Sequence, residues 1–222
     1  MSGSSTRPSP AERLAALNAG VDGAERQAAI LAALEDEAPA VRERAIRLAA
    51  RYVEPAVLAE LVADEGNAVR RNAAITALER QGPYAVPHLQ VMLGHAQIDV
   101  VMFALQVLSR IGDPAAARAI MPLARHADLN VAQSAIQALG QLRSDEAVPG
   151  LLELLRGELW LQLAAIDALG AIGDPRAVGP LVELVPDSIV AEPALQALQR
   201  LAAPESLGPL LNRLPMVRER SL

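Results

Sequence analysis

A pair of adjacent apolar residues returns at a nearly constant interval along this chain: Leu48-Ala49, Ala77-Leu78, Val107-Leu108, Ala138-Leu139, Ala168-Leu169 and Ala197-Leu198. Successive pairs lie 29, 30, 31, 30 and 29 residues apart. A fixed period of this length means that one supersecondary unit is copied, and that each copy buries its apolar face against its neighbours.

Each unit reads as two helices. The first opens on a large apolar residue (Val41, Val100, Val131, Leu161, Val190), with apolar residues at its fifth, sixth, eighth, ninth and twelfth positions. In the fourth unit these are Ala135, Ile136, Ala138, Leu139 and Leu142, one stripe at helical periodicity. A corner follows at Gly112-Asp113-Pro114, Ser144-Asp145-Glu146 and Gly173-Asp174-Pro175. Gly ends a helix in the left-handed conformation, Asp caps the next helix, and Pro fits its first turn. Leu- and Val-rich second helices follow at Val148–Leu155 and Val178–Val185. So short a corner makes each pair antiparallel. Hydrophobic residues make up 52% of the chain but aromatics only 2%, so the core is built from Ala, Leu and Val, which suits closely packed helices and not a β-rich fold.

The run from Ala164 to Val178, A-A-I-D-A-L-G-A-I-G-D-P-R-A-V, resembles the short HEAT-like repeats named after the phycobilisome lyases. The resemblance extends over roughly residues 36 to 214 and is best at Val131–Leu151 and Leu161–Leu181. The first unit keeps Val41-Arg42 and Pro55-Ala56-Val57; the second keeps Val69-Arg70-Arg71 and Ala85-Val86-Pro87 with a one-residue slip. The resemblance implies an all-α, right-handed α-α superhelical solenoid of the HEAT or armadillo type, its concave surface lined by the first helices. It also implies an Asp–Arg ladder between units. Here only Asp36/Arg42 and Asp64/Arg71 keep that pattern, and Val101, Ala132, Gln162 and Ala191 replace the later arginines.

One solenoid is expected over residues 10–214, with an atypical helix pair at about 10–34, a disordered Ser/Gly/Pro-rich leader at 1–9 and a tail at 215–222. Met216-Val217-Arg218-Glu219-Arg220 echoes Ala40-Val41-Arg42-Glu43-Arg44, as though a further unit begins, so the natural polypeptide is expected to continue or to dock through this end. Pro193 should delay the sixth first helix to about Glu192, and the C-terminal end is expected to be looser.

Several function classes are disfavoured. A net charge of −6 lacks the basic field of a nucleic-acid binder, and scarce aromatics offer no platform for stacking bases. The absence of cysteine excludes disulfides and thiolate metal sites. His95 and His126 recur at equivalent places, one unit apart, too distant to share a metal, and no His-Glu pair, phosphate-cradling loop or nucleophile–base set is present. No cofactor is expected. Met1–Pro10 has no secretory apolar segment and no run could span a bilayer, which reads as a cytoplasmic protein without membrane insertion.

The candidate function therefore lies on the first helices, at the third, fourth, seventh and eleventh positions, which lie opposite the apolar stripe at about 100° per residue. The eleventh carries Arg51, Arg80 and Arg110; the seventh carries Arg47, Thr76, Gln106 and Gln137; the third carries Met102, Gln133 and Leu163. Phe103, the only Phe, sits at a fourth position, and Trp160, the only Trp, at the entry of the fifth unit. The arginines suit the carboxylates of an acidic peptide or protein, and equally suit a solvated face paired with Glu43 or Glu79. Met102, Phe103, Leu163 and Trp160 suit an apolar anchor patch, and Phe103 and Trp160 equally suit the packing of unit seams. The leading expectation is a non-enzymatic interaction scaffold or adaptor gripping a protein or peptide in its groove. A bilin lyase or chaperone subunit, and a regulatory module of a larger signalling protein, are the alternatives that the resemblance implies.

Overall fold

A computed structural model describes residues 8–19, 23–64 and 66–201, and every regular element among them is helical. Most of the leader, the tail and the echo at Met216–Arg220 lie outside the described residues. The chain divides into two compact units, Met1–Val107 and Leu108–Leu222.

The first unit begins with α1 (Pro10–Asn18), started by a capping box in which the Ser9 hydroxyl accepts the Glu12 N–H and the Glu12 carboxylate reaches back to the Ser9 N–H. α2 (Ala24–Ala33) follows, and both pack on α3 (Pro39–Tyr52). The hairpin partner of α3 is α4 (Pro55–Val62), and the next hairpin joins α5 (Ala68–Gln81) to α6 (Val86–Met92). First helix α3 packs on first helix α5, and second helix α4 on second helix α6. The unit closes with the opening turns of α7 (Ile98–Ile111).

In the second unit, α8 (Ala117–Ile120) runs into a 3₁₀ turn at Met121–Arg125. It is followed by α9 (Leu129–Leu142), α10 (Val148–Leu154), α11 (Leu159–Ile172), α12 (Val178–Leu184) and α13 (Ala191–Leu201). The first helices α9, α11 and α13 pack side by side, and α10 and α12 fill the joints between them. The stripe predicted for the fourth unit is buried throughout: Ala135, Ile136, Ala138, Leu139 and Leu142 all lie in the core.

Small residues set the spacing of these helices. A Cβ on Gly140 would lie 3.0 Å from the Ala168 Cα, and one on Gly170 would lie 2.8 Å from the Ala197 Cα. The backbones therefore approach at glycine-alanine contacts, which explains how so aromatic-poor a chain fills its interior.

The corners differ from expectation in one respect. The Asp113 and Asp174 carboxylates cap 3₁₀ turns, accepting the Ala115 and Arg176 N–H groups at 2.9 and 2.8 Å, and only then does the second helix begin. The extra tight turn lets the chain reverse before committing to i→i+4 hydrogen bonds. Gly112 and Gly173 hold φ of 72° and 81°, and in the fourth unit Arg143 takes that left-handed place with φ 49°.

Arg42 and Arg71 donate to the main-chain carbonyls of Asp36 and Asp64, at 2.6 and 3.4 Å, and not to the carboxylates. The Asp36 carboxylate is buried and held by Arg13, whose Nε and Nη2 reach its two oxygens at 2.8 and 2.9 Å, while it also accepts the Ala38 N–H. Val101 and Ala132, which replace later ladder arginines, are buried, so those positions join the core. α13 starts at Ala191, next to the expected Glu192, and so places Pro193 in the first turn, where no intrahelical donor is needed.

Candidate interaction face

In the first unit the outer face of α3 and α5 is charged and cross-linked. Glu43, at the third position of α3, accepts from Arg47 Nη1 at 3.2 Å on its own helix and from Arg80 Nη2 at 2.9 Å on α5. The Arg80 hydrogen bond is the main reason that the Glu43 carboxyl titrates below its ordinary range, with the Arg47 charge adding to it. All three side chains are open to solvent, so the cluster is screened and exchangeable, not a structural clamp. Arg51 lies over the Tyr52 ring at 5.2 Å, and Arg26 stacks on the same ring at 3.9 Å. Thr76 turns its hydroxyl to the Asn72 carbonyl at 2.9 Å.

Beside the cluster, α3 and α5 enclose a shallow recess of about 350 Å³ lined by Arg42, Ile46, Val69, Asn72, Ala73 and Thr76. The exposure of Val69 is the physical result of the one-residue slip: a shift of one position rotates a helical side chain by about 100°. The fourth position is a correction to the periodicity argument. Ala73 is buried and Arg44 and Phe103 are half-buried, because this position turns toward the neighbouring repeat and not straight into solvent. Phe103 presents its ring to the Arg71 guanidinium at 5.3 Å, a cation–π contact between first helices that the sequence reading did not identify. Met102 is half-buried and Gln106 exposed on the same helix.

The remaining candidates belong to the second unit. Arg110, Gln133 and Gln137 are exposed, and Trp160 and Leu163 are half-buried on α11. The Trp160 indole N–H donates to Glu158 Oε2 at 2.7 Å. An ion pair of the same kind as Glu43–Arg80 links neighbouring first helices here, Arg200 Nη2 to Asp167 Oδ1 at 2.7 Å. A larger recess, about 570 Å³, lies on the second-helix side, between α8 with its 3₁₀ extension and α10. Gly150 lines it because the Met121 thioether lies where a Cβ would be.

The repeated histidines have a local task. His95 Nδ1 accepts the Gln97 N–H at 3.1 Å, and His126 Nδ1 accepts the Asp128 N–H at 3.0 Å, so each shapes the turn that enters a first helix. Among the described residues, no group of three or more His, Asp or Glu side chains could hold a metal ion, and no helix is long and apolar enough to cross a membrane.

No curated protein matches the sequence. Among solved structures, the chain is similar to an engineered protein at 21% identity, covering 87% of this chain and 97% of that one with a TM-score of 0.47. It is also similar to a designed armadillo repeat protein in complex with the peptide (KR)4, at 18% identity over 93% of this chain and 98% of that one, TM-score 0.46. The complex of CpcE and CpcF of phycocyanin lyase from a Nostoc species is similar at 20% identity, over 89% and 96% of the two chains, TM-score 0.36. The model of HEAT repeats matches residues 54–130, 85–160 and 118–199 in overlapping registers one unit apart, as expected of stacked helix hairpins with this period. The chain belongs to the HEAT repeat family.

Proposed function

We propose that the chain is a non-enzymatic, cytoplasmic adaptor that binds a protein or peptide on the outer face of its first helices, and that an acidic segment is the preferred ligand of the first unit. The observation that carries this reading is the exposed Glu43–Arg47–Arg80 cluster at 2.9 and 3.2 Å beside the α3–α5 recess. A partner carboxylate placed on Arg80 replaces Glu43 without leaving a buried charge unpaired, and Arg47 and Arg51 lie on the same helix to extend the contact. Met102 and the Arg71-covered ring of Phe103 supply apolar area in the same unit. In the second unit, Gln133, Gln137, Trp160 and Leu163 offer the matching mixture of amide and apolar contacts, with Arg110 on the last turn of α7. Nucleic acid fits poorly to a chain of net charge −6.

The test compares the wild-type chain with the Phe103→Glu/Arg80→Glu double variant, after a partner has been captured and purified. Calorimetry should show affinity lowered by about ten-fold or more, the loss of one anchor and one charge contact. Equal affinity would place the binding site elsewhere.

A further inference from the structure

α3 and α5 concentrate a charge that the chain as a whole does not share. Together they hold seven arginines against two glutamates, a net charge of +5, in a protein whose total is −6. Some of these arginines serve the fold: Arg42, Arg44 and Arg71 donate to the Asp36 carbonyl, Asn18 Oδ1 and the Asp64 carbonyl. Arg47 and Arg80 instead converge on one exposed oxygen, Glu43 Oε1, at 3.2 and 2.9 Å. That oxygen marks a seat for a carboxylate between two guanidinium groups. The α3–α5 recess adjoins the seat by helical register. Ile46, in its lining, follows Glu43 by three residues, and such pairs are surface neighbours about 5–6 Å apart. Of the apolar lining, Ile46 and Ala73 are buried and Val69 is 48% exposed, so aliphatic area faces solvent beside the cations.

From this juxtaposition we infer that the α3–α5 face selects an extended segment of the pattern acidic–any–aliphatic. Its carboxylate takes the place of Glu43 on Arg47 and Arg80, and its aliphatic side chain enters the recess. The inference rests on the adaptor function proposed above and names the sequence that the adaptor reads. The width of the recess selects an extended ligand. α3 and α5 pack directly, with axes about 8–10 Å apart, whereas a helix with its side chains is about 10–12 Å across. Spacing selects the pattern. Alternate residues of an extended chain point to one side and lie about 6.6 Å apart, close to the separation of seat and recess, while adjacent residues point to opposite sides. Charge selects the acid, and the two arginines already hold the Glu43 carboxyl below its ordinary range. Glu43 is then a built-in competitor, displaced at small cost because its ion pairs are exposed. A nucleic acid would use the arginines but not the recess, whose lining holds no aromatic ring on which a base could stack.

The experiment uses the full chain and a fluorescein-labelled peptide, Gly-Ser-Glu-Ser-Leu-Ser-Glu-Ser-Gly, which presents the pattern in either chain direction. Fluorescence anisotropy should show saturable binding that weakens with added salt. Exchanging the peptide Leu for Ser should weaken binding about five-fold or more, through loss of apolar burial. Val69→Ser should remove most of that difference while leaving the Leu-free peptide bound as before, and circular dichroism should not change because Val69 is exposed. Glu43→Gln should tighten binding about two- to five-fold by releasing Arg47 and Arg80. If the peptide does not bind, or binds equally with both Glu exchanged for Gln, the adaptor function for acidic segments falls and the inference with it. If the Glu peptides bind but the Leu makes no difference, or Val69→Ser leaves its advantage intact, the inference alone is overturned. Unchanged affinity in Glu43→Gln, or equal or tighter binding of a fluorescein-labelled oligothymidylate, would overturn it as well.

Discussion

Arg143 is a natural experiment on the corner. Its φ of 49° occupies the place that Gly112 and Gly173 fill without a side chain, and a residue with a Cβ loses about 1–2 kcal/mol in that conformation. Arg143→Gly is therefore expected to stabilise the protein by about 1 kcal/mol, read as a higher urea midpoint at unchanged slope. The helix-contact glycines should behave in the opposite way. A methyl on Gly170 meets the Ala197 Cα and Cβ at 2.8 Å, and backbone cannot swing aside, so Gly170→Ala should cost about 1–3 kcal/mol. Gly140→Ala meets the Ala168 Cα at 3.0 Å and should cost less. Thermal melts of the two variants give the order directly, and a reversed order would mean that α11 and α13 separate more easily than α9 and α11.

Between elements, the Glu43 carboxylate links α3 to α5 through Arg80, and this link has a pH signature. Its folded pKa is lowered from 4.5, so its contribution to stability is present above that unfolded value and is lost as pH falls through the lower folded one. Carbon-detected NMR of the Glu43 carboxyl should give a midpoint below 4.5 in the wild type, and Arg80→Ala should move it back toward 4.5. The effect on overall stability should be small, because the pair is exposed and screened. The helices themselves were legible beforehand: the stripe at Ala135, Ile136, Ala138 and Leu139 and the capping aspartates at 113 and 174 are local signals, written within one or two turns. The fourth position was not legible, since whether Ala73 or Phe103 meets solvent depends on how closely the next repeat approaches.

At the scale of the whole chain, a repeat protein is held by contacts between sequential neighbours, and cooperativity over its length is not guaranteed. Trp160, the only tryptophan, lies in the second compact unit, whereas helical circular dichroism reports both. Urea unfolding followed by Trp160 fluorescence and by circular dichroism should give non-coincident transitions; superimposable curves would show that the units unfold as one.

By itself the sequence determined the period, the helix hairpins, the corners and the Ala/Leu/Val core. Each is encoded over a few residues by periodicity, by left-handed Gly and by Asp or Pro at a first turn. Tertiary structure alone decided which groups far apart in the chain meet. It gave the Asp36 carboxylate to Arg13 and left Arg42 the carbonyl, joined Glu43 to Arg80, and put Arg71 over Phe103. It also decided that Leu129, Leu159 and Ile189 stay in water. The physical reason is common to all of these: a side chain's partner is set by the distance and angle of the next repeat, which no window within one repeat contains.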